Sequence, residues 1–318
     1  MPRYMLTISY DGTDFCGWQK QEPLAPVEGS VNIYPPEKIA GMLHFGYGER
    51  PRLQLRTVQH VVERAVTEIV RERIILHGSS RTDSGVHAHG QVAAFTCSGD
   101  GEDEPGRAPE TRGSGWPLER GTERLVRALN GRLPEDVLVT AAEVVPLQFN
   151  PIRHTLAKAY SYTLHASPRR CLWDRRYVHQ IWHPLDVEAM QHAAALLTGT
   201  HDFAAFAAAG HGRVSTIRTI FECTVTRESE DRIRIYVCGS GFLWNMVRII
   251  AGTLAEVGRG RMPATAIPDI IASANRENAG PTMPPTGLCL EWIRFADPAT
   301  LNELPAHDDA ESTDDAGE

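Results

Sequence analysis

Along most of the chain, apolar and polar positions recur with a period that identifies the element. Tyr4–Tyr10 alternates as a strand, and Asp11-Gly12-Thr13 after it is turn chemistry. Thr57 opens a helix in which Val58, Val61, Val62, Ala65, Val66, Ile69 and Val70 form one apolar stripe. Two apolar runs, Ile74–Leu76 and Val92–Phe95, read as strands on either side of a polar stretch. A short helix over Thr122–Asn130 points Leu125, Val126 and Leu129 inward and stops at Gly131. Val137–Val145 is a strand, and Phe149-Asn150-Pro151 then breaks the pattern, which places a lobe boundary there.

The second half repeats the alternation. Thr155–His165 reads as a long strand with Tyr160, Tyr162 and Leu164 on one face. Asp186 caps a helix carrying Val187, Met190, Ala194 and Leu197, expected to end at Gly199. Ile217–Thr226 and Arg232–Cys238 form a hairpin, and Phe242–Val257 is a helix closed by Gly258. A short helix near Pro268–Ala274 and a last strand, Leu288–Phe295, complete the set. Strands adjacent through hairpins favour antiparallel sheets over a doubly wound parallel one. The expected class is α+β, with two similar α/β lobes over residues 1–150 and 151–298 and the helices outside. Residues 22–56 and 98–118 lack a sustained period and read as insertions.

Composition narrows the class. A hydrophobic content of 42% with 23% charged residues is that of a soluble globular protein, and 318 residues suffice for two lobes. No apolar run approaches the roughly 18 residues of a membrane span. Met1-Pro2-Arg3 leads directly into a strand, so neither membrane segment nor signal peptide is expected. Cys16, Cys97, Cys171, Cys223, Cys238 and Cys289 are scattered without a CxxC, which fits reduced thiols in a cytoplasmic protein. The net charge of −8 is unevenly placed: residues 299–318 contribute −7 and 100–115 contribute −3. The rest of the chain is therefore mildly basic, at +2, which permits an RNA partner. The acidic tail is expected to be disordered.

The densest polar chemistry is the stretch from Gly78 to Ala88, GSSRTDSGVHA. Arg81 and Asp83 are two residues apart among small and hydroxylated neighbours. This is either a polar turn with a structural ion pair or a rigid loop presenting an ionised carboxylate, which can act as a nucleophile. Tyr160 and Tyr162 are either half-buried packing or a stacking face for a base. Arg248, with Asn245 nearby, lies on an otherwise apolar helix; it is a surface arginine or a partner for a buried carboxylate. His77, His87 and His89 lack further ligands at metal-site spacing, so no metal is expected. Walker, GxGxxG, GxSxG and HExxH motifs are absent, and no second acid has the context of Asp83 that a glycosidase needs.

These residues resemble the tRNA pseudouridine synthase A family. The stretch Arg81-Thr82-Asp83-Ser84-Gly85-Val86-His87-Ala88 is similar to that family's catalytic motif. Tyr10-Asp11-Gly12-Thr13, Phe15, Gly17-Trp18-Gln19 and Thr57-Val58-Gln59 resemble its first strand, loop and helix start. Lys158-Ala159-Tyr160-Ser161-Tyr162 and Gly241–Arg248 are similar to its second and third motifs. His201-Asp202-Phe203, Arg218-Thr219-Ile220 and Gly287-Leu288 follow in the family's order, so the likeness spans about residues 4 to 295. Ser84 stands where alanine is usual, and the two insertions and the acidic tail depart from the pattern.

The resemblance implies two lobes whose sheets join into one central sheet, with an RNA cleft between them. It implies an isomerase that converts uridine to pseudouridine without cofactor or metal. Asp83 is then the nucleophile, and Arg81 opens the stem and holds the flipped position. Tyr160 stacks on the uracil and assists proton removal, Arg248 pairs with Asp83, and Leu288 closes the pocket. Lys20, Gln19 and Asn245 are further candidate substrate contacts, Lys20 with RNA phosphates. The implied substrate is the anticodon arm of tRNA, at about positions 38 to 40, where the base must leave a stem. The implied assembly is a homodimer. Two other functions remain open on sequence alone: a catalytically silent tRNA-binding or folding module, and a hydrolytic glycosidase, which would release free uracil.

Overall fold

The computed structural model describes residues 1–25, 34–43, 50–98, 114–208 and 214–297. The expected acidic tail, 299–318, and most of the insertion 98–118 lie outside the described residues. Two compact units are present, one over Met1–Ile152 and one over Arg153–Ala296. The class is mixed α/β with mainly antiparallel strand pairs. No helix of the described residues is long and apolar enough to cross a membrane.

In chain order the first unit holds β1 (Arg3–Tyr10), β2 (Ile39–Leu43), β3 (Arg52–Leu55), α1 (Val58–Val70), β4 (His77–Gly78), β5 (His87–Thr96), α2 (Thr122–Asn130) and β6 (Val137–Val145). Its main sheet places β1 between β5 and β6, both antiparallel to it, with β4 paired to β5. Tyr4, Leu6, Ile8 and Tyr10 of β1 are all buried, as strict alternation requires of a strand with one covered face. Thr57 caps α1 by accepting from the His60 N–H, and the valine stripe, Val58, Val62, Val66 and Val70, is fully buried.

Two local expectations for this unit need correction. Ile74–Leu76 is not a strand, although Ile74 and Leu76 are buried and Ile75 is 66% exposed. The backbone of Leu76 is satisfied by α1 side chains instead: Gln59 Nε2 donates to its carbonyl at 2.8 Å and its N–H donates to Glu63 Oε2 at 3.0 Å. Sheet pairing on that side begins only at His77, and β5 runs longer than Val92–Phe95. Residues 22–56, which read as an insertion without a sustained period, contain the β2–β3 hairpin, and their Ala25, Leu53 and Leu55 pack on Cys16 of the first loop in a small apolar cluster.

The second unit holds β7 (Thr155–Ala166), β8 (His179–Ile181), α3 (Val187–Ala195), β9 (Gly199–Asp202), β10 (Ile217–Arg227), β11 (Arg232–Gly239), α4 (Met246–Gly258), α5 (Ile267–Ser273) and β12 (Leu288–Phe295). Its sheet runs β12–β7–β11–β10–β9 through antiparallel pairs, with β8 added parallel to β7. Asp186 caps α3 through the Ala189 N–H. Gly199 does not end that helix; it opens β9 with φ +119°. Helix α4 starts four residues later than the apolar pattern predicts, because Asn245 is left-handed at φ 61° and precedes the first helical turn.

Candidate active site

The stretch 79–86 connects β4 to β5 with buried and exposed residues interleaved. Ser79, Ser80 and Thr82 are buried, Arg81 and Ser84 are exposed, and Asp83 is half-buried. The buried members are the anchors. Ser79 N–H donates to Val92 O at 2.8 Å, and Gln91 Nε2 donates to Ser80 O at 2.7 Å. Thr82 is held at both ends: its Oγ1 bonds the Tyr10 hydroxyl at 2.7 Å, and its carbonyl accepts from the Trp18 N–H at 3.0 Å. Val86 N–H donates back to Asp83 O at 3.1 Å across a turn in which Gly85 has φ +82°. The carboxylate is thereby mounted between two fixed points rather than on a free loop.

The first loop of the chain packs directly on this segment, and its glycines allow it to. A Cβ on Gly12 would overlap the Val86 carbonyl. One on Gly17, which has φ +88°, would lie 2.5 Å from the Thr82 carbonyl. Both positions therefore need the bare backbone. Gly12 N–H also donates to His87 Nδ1 at 3.1 Å, and that nitrogen lies 3.2 Å from Asp11 Oδ1. His87 is thus part of the scaffold under the loop.

Gln19 is exposed, and Lys20 is engaged through its N–H with Gln59 Oε1 at 2.9 Å and through its ammonium with Glu63 Oε1 at 2.7 Å. One residue that the pattern gave no reason to single out stands beside the loop. Lys38 Nζ donates to Ser84 Oγ at 2.8 Å and to Phe15 O at 3.0 Å. It comes from the aperiodic stretch 22–56, and the only signal in the sequence was Ser84 itself, a hydroxyl where the resemblance expects alanine.

The second unit gathers Tyr160, Tyr162, Asn245, Arg248 and Leu288. Tyr160 is buried and meets Phe242 edge-on, ring centroids 5.3 Å apart at 89°. Tyr162, two residues along β7, donates its hydroxyl to Pro284 O at 2.8 Å. Arg248 uses the neighbouring carbonyl: its Nε donates to Met283 O at 2.7 Å, and its Nη1 donates to Asn245 Oδ1 at 2.6 Å. The left-handed Asn245 thus turns its amide onto the guanidinium instead of capping its own helix. Burial pushes the Tyr162 hydroxyl far up from its ordinary pKa, with the Arg248 charge opposing, so it serves as a neutral donor. Leu288 lies opposite Tyr162 and Leu290 opposite Tyr160 in the β7–β12 register. A Cβ on Gly287 would lie 2.8 Å from the Tyr162 ring, so that glycine keeps the ring in place.

Chemically, the first unit offers a rigidly mounted carboxylate with an exposed arginine two residues before it. The second offers an aromatic face and an arginine oriented by two neutral oxygens. Comparison with known proteins gives these features a context. A family model described as tRNA pseudouridine synthase matches residues 193–296. The chain is 36% identical over 299 residues to tRNA pseudouridine synthase A of Clostridium acetobutylicum, covering 93% of this chain and 100% of that one. It is 37% identical over 295 residues to the same-named protein of Geotalea uraniireducens, with 93% and 100% covered. With that of Shouchella clausii the identity is 38% over 306 residues, covering 96% and 98%.

Proposed function

Because the chain belongs to the tRNA pseudouridine synthase A family, we propose that it isomerises uridine to pseudouridine in tRNA with Asp83 as the nucleophile. The reaction is an isomerisation: the bond from C1′ to N1 of the uracil breaks, the base turns, C1′ bonds to C5, and the proton that C5 releases to water is matched by one that N1 takes up. The observation that supports Asp83 is its mounting, with both neighbouring anchors buried and the carboxylate half-exposed. A nucleophile held in one geometry loses less freedom in reaching the substrate.

In this reading Arg81, exposed beside Asp83, holds the place vacated by the flipped nucleotide. Tyr160 stacks on the uracil and assists removal of the C5 proton, and Leu288 closes the pocket. Arg248 pairs with the Asp83 carboxylate, its planar fork oriented beforehand by Met283 and Asn245. The two lobes, 1–150 and 151–298, then join their sheets and leave an RNA cleft between them. The site works without metal or cofactor, and the enzyme acts in the cytoplasm as a homodimer on the anticodon arm. Gln19, Lys20 and Asn245 add substrate contacts. Polyanion binding has a further support in the second unit, where exposed Arg169, Arg170, Arg175 and Arg176 flank Trp173, itself 87% exposed.

The test follows from the atoms. tRNA transcribed with tritium at uracil C5 should lose tritium to water on incubation with the protein, with no free uracil formed. Free uracil would indicate hydrolysis instead, and bound tRNA that keeps its tritium would indicate a silent binding module.

A further inference from the structure

Lys38 ends the single turn Pro36–Lys38 that leads into β2. Its backbone is stitched on both sides, with its N–H donating to Pro35 O at 2.9 Å and its carbonyl accepting from Arg56 N–H at 2.8 Å. The small core of Cys16, Ala25, Leu53 and Leu55, with Tyr34 and Ile39 against it, fixes this segment on the first loop. Its ammonium donates to Phe15 O and Ser84 Oγ, and Ser84 Oγ in turn donates to Phe15 O at 3.0 Å. Both acceptors are neutral. Among the described residues no carboxylate pairs with Lys38, whereas Lys20, Arg56 and Arg64 each have one.

An ammonium has three donors, and two are used here. A half-buried, strongly hydrated point charge with a spare donor and no carboxylate partner among the described residues is open to an anion. The residue that fixes it, Ser84, directly follows Asp83 in the chain. We propose that Lys38 binds a backbone phosphate of the RNA next to the nucleotide that reaches Asp83, with Ser84 holding the ammonium in place. This rests on the reading of tRNA as substrate. It gives the stretch 22–56 and the hydroxyl at position 84 one joint role: the inserted segment brings the cation, and the serine fixes it beside the loop.

The test is a salt series of tRNA binding by wild type, Lys38→Met and Lys38→Arg, with kcat and KM for pseudouridine formation measured alongside. Lys38→Met should bind tRNA several-fold more weakly and flatten the slope of log affinity against log salt by about 0.7–0.9, the value of one phosphate contact. Its kcat should stay close to wild type, and Lys38→Arg should keep the slope. Ser84→Ala, which releases the ammonium without removing it, should raise KM by less than Lys38→Met does. If Lys38→Met does not fold, Lys38→Gln carries the same slope test, since it keeps a donor and loses the charge. An unchanged slope overturns the inference, and so does a fall in kcat with slope and KM unchanged. If the slope falls but wild type makes no pseudouridine, the phosphate contact stands and the isomerase reading is what fails.

Discussion

Gly17 sits at φ +88° with the Thr82 carbonyl 2.5 Å from where a Cβ would be, one residue away from Asp83. Gly17→Ala therefore strains the first loop or displaces Thr82. The expected cost is about 1–3 kcal/mol in denaturant titration, with a fall in kcat larger than any change in tRNA affinity. An unchanged kcat would show that the carboxylate tolerates movement of its anchor. Arg248 is fixed by two acceptors that match a guanidinium fork, Met283 O and Asn245 Oδ1. Lysine is a poor replacement for that geometry. If Arg248 pairs with Asp83, Arg248→Ala should lower kcat far more than it weakens tRNA binding, with Arg248→Lys recovering only part of the loss. A kcat that Arg248→Ala leaves unchanged contradicts the pairing.

At the scale of elements, α1 carries the scaffold under the loop. Thr57 caps its N-terminus, and Gln59 and Glu63 on it satisfy the backbone of Leu76 just before β4. Thr57→Ala should lower stability by about 1 kcal/mol, read as a lower midpoint in thermal unfolding. An unchanged midpoint would mean that the cap is dispensable there. The same helix shows what was legible in the sequence. Its valine stripe, the strands Val137–Val145 and Leu288–Phe295, and the cap at Asp186 follow from period and local chemistry alone. Ile74–Leu76 misled because burial alternated while its hydrogen-bond partners came from side chains, which no period reveals. The start of α4 misled because the apolar pattern runs through a left-handed Asn245. Among the candidate residues of the two units, motif likeness singles out Asp83, Tyr160 and Arg248, but not Lys38, whose place depends on a tertiary contact with Ser84.

At the scale of the whole molecule, protonation couples to stability through half-buried histidines. His60 and His179 are both held below their ordinary pKa, first by burial, then by nearby cations, Lys20 for the former and Arg259 for the latter. Below about pH 6.5, the unperturbed value, the unfolded chain therefore binds more protons than the folded one. Their contribution to stability is complete above that pH and declines as pH falls toward the depressed folded-state values. Equilibrium denaturation between about pH 7 and 5 should show this loss, and replacing both histidines with glutamine should flatten it. A stability that rises toward acid in this window, or a slope that the double variant leaves unchanged, contradicts the assignment.

The whole account turns on one carboxylate. The most direct measurement is pseudouridine mapping of unmodified tRNA after incubation with wild type and with Asp83→Asn, alongside tRNA binding by both. The account predicts pseudouridine in the anticodon arm with wild type and none with Asp83→Asn, which still binds the RNA. Conversion by Asp83→Asn at the wild-type rate would contradict it.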